Sequence, residues 1–213
     1  MEVGLVLIFW YGILHAFGPD HLTAIADFSI GKNKRKTLMI TFLFAIGHGI
    51  SLFIFAKLLQ YSALPEDILA YGDIISALVI IAIGIYLLFM VFTDRIQLRK
   101  HIHENKEHIH IWFGRSHEHN GTVESTSSFS LGLLMGAGGV RGMLITLGAV
   151  QGGVVDLSLV AMFTLGVMLV FIAFGLLILY INQNFLGTLQ NVKRAFTAAG
   201  LVSLLVGTNI LLG

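Results

Sequence analysis

Four side chains in the first 48 residues have chemistry suited to holding a metal ion. His15, Asp20 and His21 lie in the string His-Ala-Phe-Gly-Pro-Asp-His, and His48 lies in Ala-Ile-Gly-His-Gly-Ile-Ser. Imidazole nitrogen suits zinc, copper, iron and nickel, and a chain without cysteine has no thiolate to favour Cu(I). Three histidines and one aspartate could hold a divalent cation in four-coordinate or larger geometry, the carboxylate offsetting part of its charge. For His15 alone, a hydrogen-bonded core histidine explains the residue as well. A second set comprises His101, His103, His108, His110, His117 and His119, six of the nine histidines, in one charged segment. Such a tract suggests metal capture; a linker that happens to be His-rich is the other reading. Without a rigid scaffold it would bind loosely, serving to buffer, deliver or sense ions.

The elements that must position these groups are set by composition. Of 213 residues, 56% are hydrophobic and 12% charged, about half the charged fraction of an ordinary soluble domain. So little charge cannot cover so much apolar surface in water. This excludes a soluble enzyme, a disordered tail and a disulfide-stapled secreted domain. A net charge of +1 gives no reason to expect nucleic acid. Apolar runs long enough to span a bilayer as helices cover roughly residues 3–27, 37–60, 71–93, 129–151, 157–181 and 195–212. The first run lacks a basic leader and a small-x-small cleavage site, and its His15, Asp20 and His21 are of no use to a disposable segment. It reads as a mature helix.

Lys and Arg in short loops set orientation. Lys32, Lys34, Arg35 and Lys36 occupy the first loop, and Arg95, Arg99, Lys100, Lys106 and Arg115 the third. Lys193 and Arg194 occupy the fifth, whereas the second and fourth offer Glu66, Asp67 and Asp156. Both termini should therefore lie outside, with the His-rich loop in the cytoplasm. The expected fold is an all-α integral membrane protein of six transmembrane helices. Residues 1–93 form a first three-helix unit, 94–128 the cytoplasmic His-rich loop, and 129–213 a second three-helix unit.

The two units show an internal match. Gly12-Ile-Leu-His-Ala-Phe-Gly18 aligns with Gly132-Leu-Leu-Met-Gly-Ala-Gly138, Phe44-Ala-Ile-Gly47 with Phe163-Thr-Leu-Gly166, and Gly84 with Gly207. Three helices per unit is an odd number, so the halves would be inverted repeats, a transporter design with its site near the midplane. Chance similarity between Gly-rich apolar helices would also give matches of this kind.

Ionisable groups at membrane depth are costly and mark function. His15, His48 and Arg141 each fall near the midpoint of their spans. On a straight helix His15 and Asp20 would lie roughly 140° apart, and His15 and His21 roughly 120°. Gly18-Pro19 could break the helix and turn Asp20 and His21 towards His15, because Pro19 has no N–H for the His15 carbonyl. The freed carbonyl would be a further oxygen donor; a plain proline kink with no ligand role is the alternative. Arg141 does not belong against a cation site. Either it pairs with Asp20 or Asp27, closing a gate or neutralising a buried carboxylate, or it binds an anionic substrate. Gly136, Gly138, Gly139 and Gly142 around it suit close packing or a second break.

His15-x4-Asp20-His21 followed by Gly47-His48 resembles the signature of the nickel/cobalt transporter superfamily (the NiCoT/NicO-like permeases), and the helix count is similar to its six-helix branch. The likeness covers the chain in helix layout, and its specific residues occupy two short windows. Many relatives have an acidic residue where this chain has Gly18, and Ser where it has Gly49. The resemblance implies a Ni²⁺ or Co²⁺ secondary transporter of the cytoplasmic membrane, with His15, Asp20, His21 and His48 handling the metal. Uptake is the expected direction, since the ligand string matches the permeases. The His-rich loop resembles that of exporters in the same superfamily. A small-anion (sulfur oxyanion) permease using Arg141, and a membrane-embedded metal sensor, are the further alternatives. The expected partners are a divalent transition-metal ion, the lipid bilayer, a cytoplasmic metal acceptor and a second copy of the chain. No prosthetic group and no enzymatic activity are expected.

Overall fold

The computed structural model describes residues 2–61, 66–103, 106–113, 121–138 and 156–212. They form seven helices and one two-stranded sheet: α1 (Glu2–Ala16), α2 (Pro19–Ser29), α3 (Lys34–Tyr61), α4 (Glu66–Phe92), β1 (Ile96–His103), β2 (Lys106–Phe113), α5 (Gly121–Gly136), α6 (Leu157–Phe185) and α7 (Leu189–Leu212). Four helices are long and apolar enough to cross a membrane: α3, α4, α6 and α7. Val3–Ala16 and Pro19–Ser29, taken as one bent span, make a fifth. The bundle exterior is apolar as well, with Trp10, Leu14, Leu78, Ile85, Leu169 and Leu205 all more than half exposed. A surface of that kind suits lipid rather than water. The chain is built as a multi-pass membrane protein.

Two predicted spans take a different form. The first is divided at Phe17–Gly18 into helices bent by 62°. Neither the 15-residue α1 nor the 11-residue α2 alone covers the hydrocarbon core, which needs about 20 residues. The fourth, predicted over 129–151, already begins at Gly121 and is helical through Gly136, followed by a turn at Ala137 and Gly138. Closely spaced glycines weaken a helix because each loses more backbone freedom on folding. Residues 139–155, including Arg141, lie outside the described residues.

The predicted His-rich loop is not wholly irregular, and here the chain departs from all-α. β1 and β2 pair antiparallel, with His101 opposite His108, Arg99 opposite His110, and His103 opposite Lys106. The alternation of isoleucine with histidine has the two-residue period of a strand. Four loop histidines are thereby gathered on one hairpin. His117 and His119 lie outside the described residues.

Glycine crossings bring the helices together. α3 packs on α5 and α6, α1 on α6, and α4 on α7. A Cβ at Gly12 would overlap the Phe163 carbonyl oxygen on α6, and one at Gly132 would overlap the Phe44 carbonyl oxygen on α3. The reciprocal contacts correspond: Gly166 lies against Phe9, and Gly47 against Phe129. Between α4 and α7, Gly84 lies against Gly200, and Gly207 against Ala77. Each pair maps onto its counterpart through the alignment read from the sequence. α3 and α5 run parallel, since Phe44 meets Gly132 and His48 meets Gly136. α3 runs antiparallel to α6, since Gly49 meets Thr164 and Thr41 is met by Gly175.

One side chain fixes the C-terminal end of α2. Asn182 on α6 accepts from the Gly31 N–H at 3.0 Å and donates to the Ser29 and Lys32 carbonyls at 2.8 and 3.1 Å. Gly31 has φ of 76°, the left-handed conformation that favours glycine just past a helix end. At the opposite end of α6, the exposed Asp156 accepts a hydrogen bond from Ser158, which holds its carboxyl below the usual carboxylate range.

Candidate metal centre

The break between α1 and α2 decides where the histidines meet. Gly18 is extended (φ −51°, ψ 129°) and Pro19 occupies the first position of α2. There its fixed φ suits a helix start and its missing N–H leaves no bond unmade. A Cβ at Gly18 would sit 2.6 Å from Asp20 Oδ1 and 3.2 Å from His21 Nδ1. Glycine is required for this close approach. The His15 carbonyl is not free, contrary to the sequence expectation. The Gly18 N–H donates to it at 2.9 Å, because the turn out of α1 closes on the group that proline leaves unbonded.

Past the break, His21 turns back onto His15. Their ring centroids are 4.7 Å apart and nearly perpendicular. His48, from the middle of α3, completes the group at 4.7 Å from His21 and 5.4 Å from His15. One ligand nitrogen from each of the three rings lies within 4.8 Å of the others. His15 Nε2 and His48 Nε2 are 3.3 Å apart. Two nitrogens bound to one tetrahedral ion at about 2.0–2.1 Å would be about 3.3 Å apart, so one edge already has the spacing an ion requires. His48 is fully buried and His21 nearly so, and His48 Nδ1 and both His21 nitrogens lack an aligned hydrogen-bond partner. Buried polar atoms are normally bonded, and three ring nitrogens, one from each histidine, within 4.8 Å of one another fit a cation.

Asp20 stands apart from the triad of ligand atoms. Its Oδ1 is 2.6 Å from His21 Nδ1, although off the line of a well-aligned N–H bond. The sequence reading takes Asp20 as an oxygen ligand beside the three histidines. The geometry places it behind His21, where a carboxylate fixes ring orientation and makes the other nitrogen more basic. Asp20 also lies in the first turn of α2, where negative charge is favoured by the helix dipole. Asp20→Asn is expected to weaken divalent-metal affinity by about 10- to 100-fold. Affinity should also fall as pH falls, because protons compete for the same nitrogens. Equilibrium titration of purified protein across pH checks both effects, and unchanged affinity in the variant would remove Asp20 from the site.

Three aromatic residues that the sequence does not single out as site residues wall the triad. Phe163 is 5.2 Å from the His15 ring, Phe171 is 5.9 and 6.2 Å from His21 and His48, and Phe44 stacks on His48 at 6.3 Å. All three are buried. The internal match of Phe44 with Phe163 is the one sequence signal for two of them, and it does not reach Phe171. Asp27, one of the two carboxylates that the sequence reading offers as a partner for Arg141, has Ser203 of α7 as its hydrogen-bond partner at 2.6 Å; Arg141 itself lies outside the described residues. No family model, curated protein or solved structure matches this chain.

Proposed function

We propose that the protein is a secondary transporter that moves Ni²⁺ or Co²⁺ across a cytoplasmic membrane through the His15–His21–His48 triad. The observation that carries this reading is the convergence of three imidazoles from α1, α2 and α3 on one point inside an apolar bundle. Ionisable groups at such depth are costly and belong to substrate paths. A neutral nitrogen triad without thiolate suits nickel, cobalt or zinc, and the sequence resemblance selects the first two. The ion is cargo, so the protein needs no prosthetic group and no enzymatic step.

In this reading the chain has six spans, α1 and α2 together forming the first. The corresponding glycine crossings support two inverted three-helix repeats with both termini outside. The broken helix has the form expected of a midplane site, since irregular backbone at that depth is tolerated where it lines a cavity or is buried in protein. Rocking of one repeat against the other exposes the triad to each side in turn, and the hairpin histidines gather ions at the cytoplasmic mouth. Metal flux into proteoliposomes of purified protein tests the function. Saturable Ni²⁺ or Co²⁺ entry is expected in the wild type, and a flux no greater than that of empty vesicles would overturn it. Expression in metal-stressed cells separates uptake, which lowers tolerance, from export, which raises it.

A further inference from the structure

Asp27 is a buried carboxyl, 7% exposed, that the triad does not use. It lies six residues beyond His21 on α2, about 9 Å along the axis. Its Oδ2 is 2.6 Å from Ser203 Oγ, while Oδ1 is buried with no hydrogen-bond partner among the described residues. Ser203 Oγ is at the same time 2.8 Å from the Ala199 carbonyl oxygen. A hydroxyl has one hydrogen, and here it faces two acceptors. Both contacts become full hydrogen bonds when Asp27 itself carries a proton: the carboxyl O–H donates to Ser203 Oγ, and Ser203 donates to Ala199.

Open space adjoins the carboxyl on two sides. Asp27 lines two cavities, of about 380 and 460 Å³. The first, between α2, α3, α4 and α7, includes Lys32 and Tyr86 as its other titratable groups. The second, towards α6 and α7, is lined by no other titratable group among the described residues. Along α2 itself the nearest ionisable residues are Asp20 and His21, and none from α6 or α7 lines either cavity.

We infer that Asp27 with Ser203 is a proton-binding site that exchanges its proton against the divalent ion at the triad. The inference rests on reading the triad as the metal site. A divalent cation arriving at the triad, six residues back along α2 at His21, attracts the ionised carboxylate, so metal binding expels the Asp27 proton into the adjoining cavity. Reprotonation of the carboxyl, by the same linkage, weakens metal binding. The balance is one proton released from oxygen to water, with no bond other than O–H broken.

Two measurements on the full chain test this. Infrared difference spectra should show a protonated carboxyl C=O band in the metal-free wild type that disappears in Asp27→Asn and shrinks when Ni²⁺ is added. Calorimetric titration with Ni²⁺ in buffers of different ionisation heat counts protons released per ion bound. The wild type is expected to release up to one proton more than Asp27→Asn. Ser203→Ala, which keeps the carboxyl, should shift the pH at which the band is lost, a result that a purely structural Asp27 would not produce. Equal proton release by wild type and Asp27→Asn, or no protonated carboxyl band, overturns the inference and leaves the metal site standing. A wild type that binds no Ni²⁺ overturns both.

Discussion

His48→Ala is expected to reduce Ni²⁺ or Co²⁺ affinity by about 10²- to 10³-fold. A four-ligand nitrogen or sulfur site binds a divalent ion with about 10–16 kcal/mol, or about 3 kcal/mol per ligand, and each 1.4 kcal/mol is tenfold. His48 is fully buried, and its Nε2 forms the one 3.3 Å nitrogen–nitrogen edge with His15. Alanine removes that edge and leaves His15 and His21 as a two-nitrogen site open to looser ions. His15→Ala and His21→Ala should give losses of the same order, because each contributes one nitrogen. The triple variant keeps no ring nitrogen at the site and should lose more affinity than any single one. Equilibrium titration of detergent-purified variants checks this, alongside thermal unfolding to separate ligand loss from a cavity in the core. Wild-type affinity in His48→Ala would remove the triad as the site.

Leucine at Gly12 or Gly132 should destabilise the bundle by about 3 kcal/mol or more, the upper end of overpacking costs. At both positions a Cβ would meet a backbone carbonyl, that of Phe163 or Phe44, rather than a movable side chain. Backbone within a helix cannot rotate away, so α1 must part from α6, or α5 from α3. Phe163 and Phe44 wall His15 and His48 respectively, so the same shift opens the triad. The expected readout is a loss of folded, monodisperse protein together with metal binding. Leucine at Gly187, where a side chain meets open space, serves as the control and should be neutral. Equal behaviour of the three variants would show that the crossings do not hold the fold.

Much of the site is legible in the residue string alone. An imidazole or carboxylate in an apolar span is costly, and that cost singles out His15, Asp20, His21 and His48. Gly18-Pro19 marks the break because proline removes a donor that the first span needs. The crossing glycines are visible as a repeated pattern. Other features depend on distances that sequence spacing does not contain. The role of Asp20 turns on whether its carboxylate faces the ion or the back of the neighbouring ring, which rotamers decide. The Asp27–Ser203 contact joins residues 176 positions apart, and nothing in either local string pairs them. The end of α5 at Gly136 and the fate of the His15 carbonyl follow from local turn geometry, where several backbone solutions satisfy the same residues.

The sequence by itself determined the solvent, the hydrophobic spans and the chemical character of the ligands. Each of these depends on residue type summed over a window, and transfer from water to lipid adds up residue by residue. The tertiary structure decided which nitrogens meet, which carboxylate lies against them and which meets Ser203. Those outcomes rest on a 62° bend and on helix backbones brought into contact at glycines. Polar interactions inside a bundle change steeply over an ångström, and only packing sets positions that finely.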